Sequence, residues 1–300
     1  MTGFKNVRAW ADAYDEGRHH VQSFRKAVSS AATATNDYID YAYFPGSPAV
    51  NFYASAPLEC ALIEEKYGIR IPAGEQFVSR LTVASNAASA TGTSNQNQLI
   101  QMLDYLMYYP FIDSDAVGEQ QDMIQSASLP ARAGTGAGVK VIGVAQSACA
   151  TTGTFTFSYT NQDGVAGRTS AVTATKTCAG GGVLLPYITT TASSYPFIGL
   201  QAGDTGVRSI ESVTFTGAGG GLMCLVLVKR ITTILSGEEC RRSTTGTIES
   251  WGAGSQTESV VHQMPAKIES GAVLNFIGQG NGGSLASSVL SGVLETQWGE

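Results

Sequence analysis

From residue 137 to the end, this chain is a succession of short apolar-polar runs broken by glycine. GVKVIGVAQ, TGTFTFSYT, GRTSAVTATKT, VRSIESVTFTG, LMCLVLVKRITTIL, AVLNFIGQG and SVLSGVLETQW follow one another. Between them stand Asn161-Gln162-Asp163-Gly164, Gly180–Gly182, Gly217–Gly221 and Asn281–Gly283. Phe155, Phe157 and Tyr159 alternate with Thr and Ser, and Val213 and Phe215 repeat the pattern. Successive side chains on a strand point to opposite faces, so this alternation predicts half-buried antiparallel strands. Many short strands with Gly-rich turns predict a mainly β fold, an antiparallel sandwich of jelly-roll type. Gly217–Gly221, between two such runs, reads as a hairpin turn.

The first half is less uniform. Residues 1–30, within a candidate segment 1–35, are the most charged stretch, with Trp10, Tyr14, Val21, Phe24 and Val28 at loosely helical spacings interrupted by Gly17. They predict a helical or extended N-terminal arm docked on another surface, or equally a helical cap on the chain's own sheet. Residues 36–300 are expected to form the β-sandwich domain, with a polar surface excursion at 236–262. NDYIDYAYFPGSPAVNFYASAP reads as strand, turn, strand, and ASNAASATGTSNQNQ as a polar loop. LIQMLDYLMYYPFI fits a helix face through Leu99, Met102, Leu103 and Leu106, and fits a buried strand as well; flanking strands favour the strand.

Composition narrows the function. Charged residues make up 14% of the chain, against roughly 25% in an ordinary soluble domain. The net charge is −6 and the basic residues are scattered, the densest groups being Lys229-Arg230 and Arg241-Arg242. A nucleic-acid-binding surface would be basic, so none is expected. The amino terminus lacks the apolar core of a signal peptide, and the longest apolar run is Leu222–Val228, short of the roughly 20 residues that span a bilayer as a helix. Folding in a cytoplasm is expected, with no membrane partner. The five cysteines, Cys60, Cys149, Cys178, Cys224 and Cys240, show neither a CxxC nor a zinc spacing. Reduced thiols are the expectation. Cys149 and Cys178 flank a candidate pair of strands, and a disulfide between them is the open alternative.

Motifs that carry chemistry are incomplete. Neighbouring His19 and His20 do not share a face, and His262 stands far away in sequence, so no metal site is expected. Asp113, Asp115 and Gly118 match the first, third and sixth positions of a calcium loop. The fifth is Val117 and the twelfth, where a bidentate Glu belongs, is Ile124. Gly134, Gly136 and Gly138 precede a strand, the reverse of a phosphate loop. Gly282-Gly283-Ser284-Leu285-Ala286 ends in Ala where a nucleophile elbow has Gly. Arg208 lies inside a β run, where it can pair with Asp204 or Glu211; the simpler reading is a solvated edge charge that blocks unwanted strand pairing. No catalytic residue, cofactor or metal ligand is assigned, and the chain is expected not to be an enzyme. Tyr38, Tyr41, Tyr43 and Phe44, with Tyr105, Tyr108, Tyr109 and Phe111, are candidate packing anchors for the core or for an interface. Trp251 and Trp298 are candidates for stacking on a sugar.

LMYYPFIDSD, FTFSYTNQDGVAGRTS, YPFIGLQAGDTGVRSIESVTF, LMCLVLVKRI and GAVLNFIGQGNGGSLASSVLSGVLETQWG resemble segments of tailed-bacteriophage virion structural proteins. SPAVNFYASAPL and RAWADAYDEG, followed by FRKA, are similar to the opening section of that group. The resemblance implies a jelly-roll-like particle component, assembled in the host bacterial cytoplasm, on the capsid exterior or at the head–tail region. It implies self-association and contacts with other virion proteins such as the major capsid protein. It carries no active-site residues. The charged segment Glu238–Arg242 departs from it. A receptor- or glycan-binding tail protein is the alternative, and a depolymerase a third possibility for which no carboxylate pair stands out.

Overall fold

The main strands, in chain order, are β1 (His19–Ala27), β2 (Tyr38–Asp40), β3 (Gln76–Asn86), β4 (Gln98–Asp113), β5 (Gln120–Asp122), β6 (Val139–Ala145), β7 (Thr154–Asn161), β8 (Val207–Gly217), β9 (Leu222–Ser236), β10 (Lys267–Ile268), β11 (Leu274–Gly280) and β12 (Val289–Gln297). A single helix, α1 (Val7–Asp15), precedes them among the described residues. The computed structural model describes residues 4–29, 37–86, 98–188, 193–194, 196–236, 238–242, 248–253, 265–280 and 285–299.

One sheet has the order β10-β3-β12-β1, with Gly46–Ser47 added at the β1 edge. The other has the order β2-β11-β4-β9, extended by β6. All these pairings are antiparallel. Leaving out β5 to β8, the first sheet holds the first, eighth, third and sixth strands of the chain, and the second holds the second, seventh, fourth and fifth. That order is the eight-stranded jelly roll with its two Greek keys. Its core lies between the sheets: Phe24, Leu81, Val83, Leu290 and Leu294 pack against Ile100, Met102, Ile234, Leu274 and Phe276.

Residues 114–221 are inserted between β4 and β9 and build a further sheet. There β7 pairs with β8, β5 lies on the far side of β8, and short ladders at 173–174, 187–188 and 193–194 extend the β7 side. Phe155, Phe157 and Tyr159 are buried while the residues between them are partly exposed, as the alternation predicts. With Val207, Ile210, Val213 and Phe215 they pack on Leu106, Met107, Tyr109 and Ile112 of β4 and on Met223, Leu225 and Leu227 of β9. The outer face of these two strands is covered as well: Leu103, Tyr105, Tyr108, Cys224, Val226 and Val228 lie under Ala42, Tyr53, Ile63 and Leu184. A strand buried on both faces shows no apolar-polar alternation. Residues 99–112 are accordingly strand, and their helix-like spacing has no structural counterpart. At about 3.3 Å per residue, β4 and β9 are each about 50 Å long, enough to run under both the jelly roll and the insert.

Several expected elements are placed differently. Residues 19–27, read as part of an arm, are the strand β1, paired with β12 from His19↔Gln297 to Ala27↔Val289. The helix before it starts on Asn6, whose side chain accepts the Ala9 N–H at 2.9 Å, and Phe4 lies against Trp10 and Phe77. The run 167–177 makes only two-residue ladders at Arg168–Thr169 and Thr173–Ala174. Within 236–262, Glu238–Arg242 and Ile248–Ala253 pair as a small separate ladder; 243–247 and 254–262 lie outside the described residues, as does 87–97 of the polar loop. Gly217–Gly221 is not a hairpin turn. It carries the chain from β8 in the inserted sheet to β9 in the jelly roll, since the two strands belong to different sheets. Glycine is required there by close approach: a Cβ on Gly221 would stand 2.3 Å from the Ala148 carbonyl oxygen, and Gly220 has φ +75°.

Candidate functional site

Polar side chains of the insert converge at the exposed end of β7 and β8. Asp204 accepts hydrogen bonds from Tyr159 Oη (2.7 Å), Asn161 Nδ2 (2.8 Å) and Arg168 Nε and Nη2 (2.9 and 3.3 Å). The Arg168 guanidinium, aided by the Tyr159 hydroxyl, holds the Asp204 carboxyl down at about 2. Burial, together with the hydrogen bond to Asp204, pushes the Tyr159 hydroxyl up to about 12. On the other face of β7, Glu211 accepts from Ser158 Oγ (2.9 Å), Thr160 Oγ1 (2.7 Å) and the Gly167 N–H. Each carboxylate is therefore saturated by donors, which suits fixing loops and not moving protons.

Arg208 pairs with neither Asp204 nor Glu211, and it is not a freely solvated edge charge. Its Nε donates to the carbonyls of Thr135 (3.0 Å) and Gln162 (3.1 Å), and its Nη2 donates to Gln162 at 2.7 Å. The guanidinium ties the glycine-rich lead-in to the 161–164 turn. Gly136 permits this approach, because a Cβ there would meet the Val207 carbonyl oxygen at 2.8 Å. Arg208 also borders a groove of about 520 Å³ whose lining includes Gln125, Ser128, Thr135, Thr160 and Ser209. Neutral amides and hydroxyls beside one guanidinium can hydrogen-bond a polar ligand or a partner's loop.

Other charges lie inside the protein. Lys26 is fully buried and donates to the carbonyls of Phe44 (3.1 Å) and Ala49 (3.2 Å); burial lowers its pKa to about 8. Asp40 is also fully buried. It accepts from the Tyr53 hydroxyl, from Tyr105 Oη at 2.7 Å and from the Ala42 N–H at 2.9 Å, and burial raises its pKa. Asp104 is paired with Arg132 and Asp37 with Lys176. Scarce charges used in this way leave the exterior still more neutral than the composition indicates.

Among the described residues, the remaining sequence candidates lie apart from one another. His19 stacks on Tyr14 at 4.4 Å, and His20 follows it on the same strand. Asp113 and Asp115 cap a turn, Asp113 accepting the Asp115 N–H and Asp115 the Gly220 N–H, both at 2.9 Å. Among the described residues, no three of His, Cys, Asp and Glu are grouped to hold a metal. Tyr38, Tyr41, Phe44, Tyr105, Tyr108 and Tyr109 are buried in the chain's own core, with Tyr43 and Phe111 half-buried. His262, Ser284 and the Trp251 side chain lie outside what is described; Trp298 is half-buried next to β12. The cradle around Glu211 went unread in the sequence. Its signal was Ser158 and Thr160, two hydroxyls two residues apart and so on one face of a strand.

No family model matches the sequence, and no curated protein is significantly similar to it. Among solved structures, the infectious bursal disease virus Gt strain aligns over 94% of this chain and 79% of its own, with 8% identity and a TM-score of 0.20. A mutant VP2 protein of the same virus, in derived T=1 particles, aligns over 94% and 81% with 9% identity and a TM-score of 0.20. Superpositions this loose carry no argument; the jelly roll rests on the strand order of the chain itself.

Proposed function

We propose that this chain is a structural subunit of a tailed-phage virion, a capsid-exterior decoration or minor capsid protein that acts through contacts and not through turnover. The observation that carries the reading is the jelly-roll order with a third sheet inserted between its fourth and fifth strands. Jelly rolls serve in viral capsids and in lectins, and fold alone does not select between them. The neutral exterior favours protein contact, because charged residues are depleted at the centres of interfaces. Phe52, Leu62 and Ile124 are each about half exposed, at 54%, 45% and 56%. Phe52 and Leu62 lie on the segment 51–63, and Ile124 is bridged to it at Glu59, so this cover over the central sheet presents apolar side chains outward. The partners on this reading are copies of the chain and the major capsid protein, and the subunit is assembled in the host cytoplasm and carried in the particle. A repeated contact of this kind gains strength by multivalency.

Mass spectrometry of purified particles together with mass photometry of the isolated protein tests the proposal. Presence in particles and a discrete oligomer in solution are expected. A strict monomer absent from particles would refute it. The groove beside Arg208 favours a second reading, a glycan-binding subunit of the tail, which a glycan array separates from the first.

A further inference from the structure

Cys149 follows β6, and Cys178 follows the ladder at Thr173–Ala174. Their backbones exchange both hydrogen bonds: the Cys149 N–H donates to the Cys178 carbonyl at 2.9 Å and the Cys178 N–H donates to the Cys149 carbonyl at 3.0 Å. The two residues are thus directly opposite in an antiparallel bridge of the hydrogen-bonded kind, which sets their Cα atoms about 5.5 Å apart. Disulfides span Cα separations of about 4.4–6.8 Å. Side chains directly opposite leave a sheet on the same side, and both thiols do so here, Cys149 Sγ lying 3.9 Å and Cys178 Sγ 3.8 Å from the one Ser147 carbonyl oxygen. Cys149 is buried, whereas Cys178 is partly exposed between exposed Thr177 and Ala179. The Cys149 thiol, backbone N–H groups and the Lys176 ammonium lower the pKa of the Cys178 thiol, while the same interaction and burial raise that of Cys149. An accessible thiol of low pKa backed by a buried one is the arrangement of an attacking and a resolving cysteine.

We propose that Cys149 and Cys178 are a reversible thiol–disulfide pair, oxidised by small-molecule disulfides of the glutathione type. The Cys178 thiolate attacks one sulfur of the oxidant. The oxidant's S–S bond breaks, one small thiolate leaves and takes up a proton, and a mixed disulfide remains on Cys178. Cys149 then loses its proton as it attacks the Cys178 sulfur, and the second small thiol departs. Two protein thiols are oxidised by two electrons, and one small disulfide is reduced to two thiols. The new bond closes a loop that contains β7 and the ladders at 168–169 and 173–174, stapling the inserted sheet to the end of β6.

The full-length protein is reduced, equilibrated with mixtures of reduced and oxidised glutathione at pH 8, blocked with N-ethylmaleimide and digested with trypsin. Cleavage after Lys140, Arg168, Lys176 and Arg208 separates the two cysteines into peptides 141–168 and 177–208. The expected product is these two peptides joined, two hydrogens lighter than their sum, and separated again by reductant. In Cys149→Ser the same buffer is expected to leave glutathione stably attached at Cys178; the wild-type digest decides the matter alone if that variant does not fold. Glutathione persisting on Cys178 of the wild-type protein, or both thiols remaining free in the most oxidising mixture, would overturn the proposal.

Discussion

Arg132→Met should destabilise the protein by about 3–5 kcal/mol at pH 7, the usual consequence of stripping a buried charge of its partner. Arg132 stands in a single 3-10 turn of the insert, Ala131–Ala133, and reaches across to Asp104 on β4. Its Nε and Nη2 meet the two carboxylate oxygens at 3.0 and 3.2 Å, and Nη2 also donates to the Tyr105 carbonyl at 3.1 Å. Asp104 accepts the Val273 N–H at 2.8 Å, so one carboxylate holds the insert, β4 and the turn before β11 together. The pair is secluded, with 4% of the Asp104 side chain and 15% of the Arg132 side chain exposed. Unfolding entropies of about 2.1 cal/mol/K per residue convert that loss to a fall in Tm of about 5–8 °C for a chain of this length. Burial already raises the Asp104 pKa although Arg132 lowers it. The folded state therefore takes up the proton at a higher pH than the unfolded state, and this group's contribution to stability grows as pH falls. Without Arg132 the pKa rises further, so the gap between wild type and Arg132→Met should narrow from pH 7 to pH 5. Adding Asp104→Asn removes the stranded charge and should recover at least half of the loss. Urea unfolding followed by tryptophan fluorescence measures all three proteins. A loss below about 1 kcal/mol for Arg132→Met, or no recovery in the double variant, would refute the reasoning.

Phe276→Ala empties a fully buried position whose ring lies 4.5 Å from Phe24 between the jelly-roll sheets; a loss of about 3–5 kcal/mol is expected in denaturant unfolding, and a loss near that of an exposed control such as Val21→Ala would contradict the assigned core. Lys26 titrates at about 8 when folded because burial disfavours its ammonium, so the unfolded chain holds that proton to higher pH than the folded one. Its contribution to stability should therefore rise between about pH 8 and 10.5, by about 3 kcal/mol in all; the same pH series on Lys26→Met should lack that rise, and parallel curves would contradict the assignment.

What was legible in the sequence follows from how strands meet solvent. The run containing Phe155, Phe157 and Tyr159 was readable because one face is buried and the other is partly wet. The run 99–112 was ambiguous because apolar contacts cover both of its faces, which erases the period that separates strand from helix. The aromatic groups at 38–44 and 105–111 were readable as packing residues, but whether they pack inward or on a partner is a question of three-dimensional position. Arg208 shows the same limit for charge: its partners are two carbonyl oxygens brought close by glycines, not the acids nearest in sequence. Gly217–Gly221 was misread because glycine signals a tight approach of backbone without saying which strands it joins.

The sequence by itself determined that the chain is β, where the long strands after residue 137 begin and end, and how sparse its charge is, because side-chain alternation and turn chemistry act over a few residues. Only the tertiary structure decided that β4 and β9 pair across the segment 114–221, that this segment forms a third sheet on their far halves, and that Cys149 faces Cys178. Those pairings join residues far apart in the chain, and many partners would satisfy the same alternation. The choice among them is made by mutual packing of whole sheets, which no local pattern encodes.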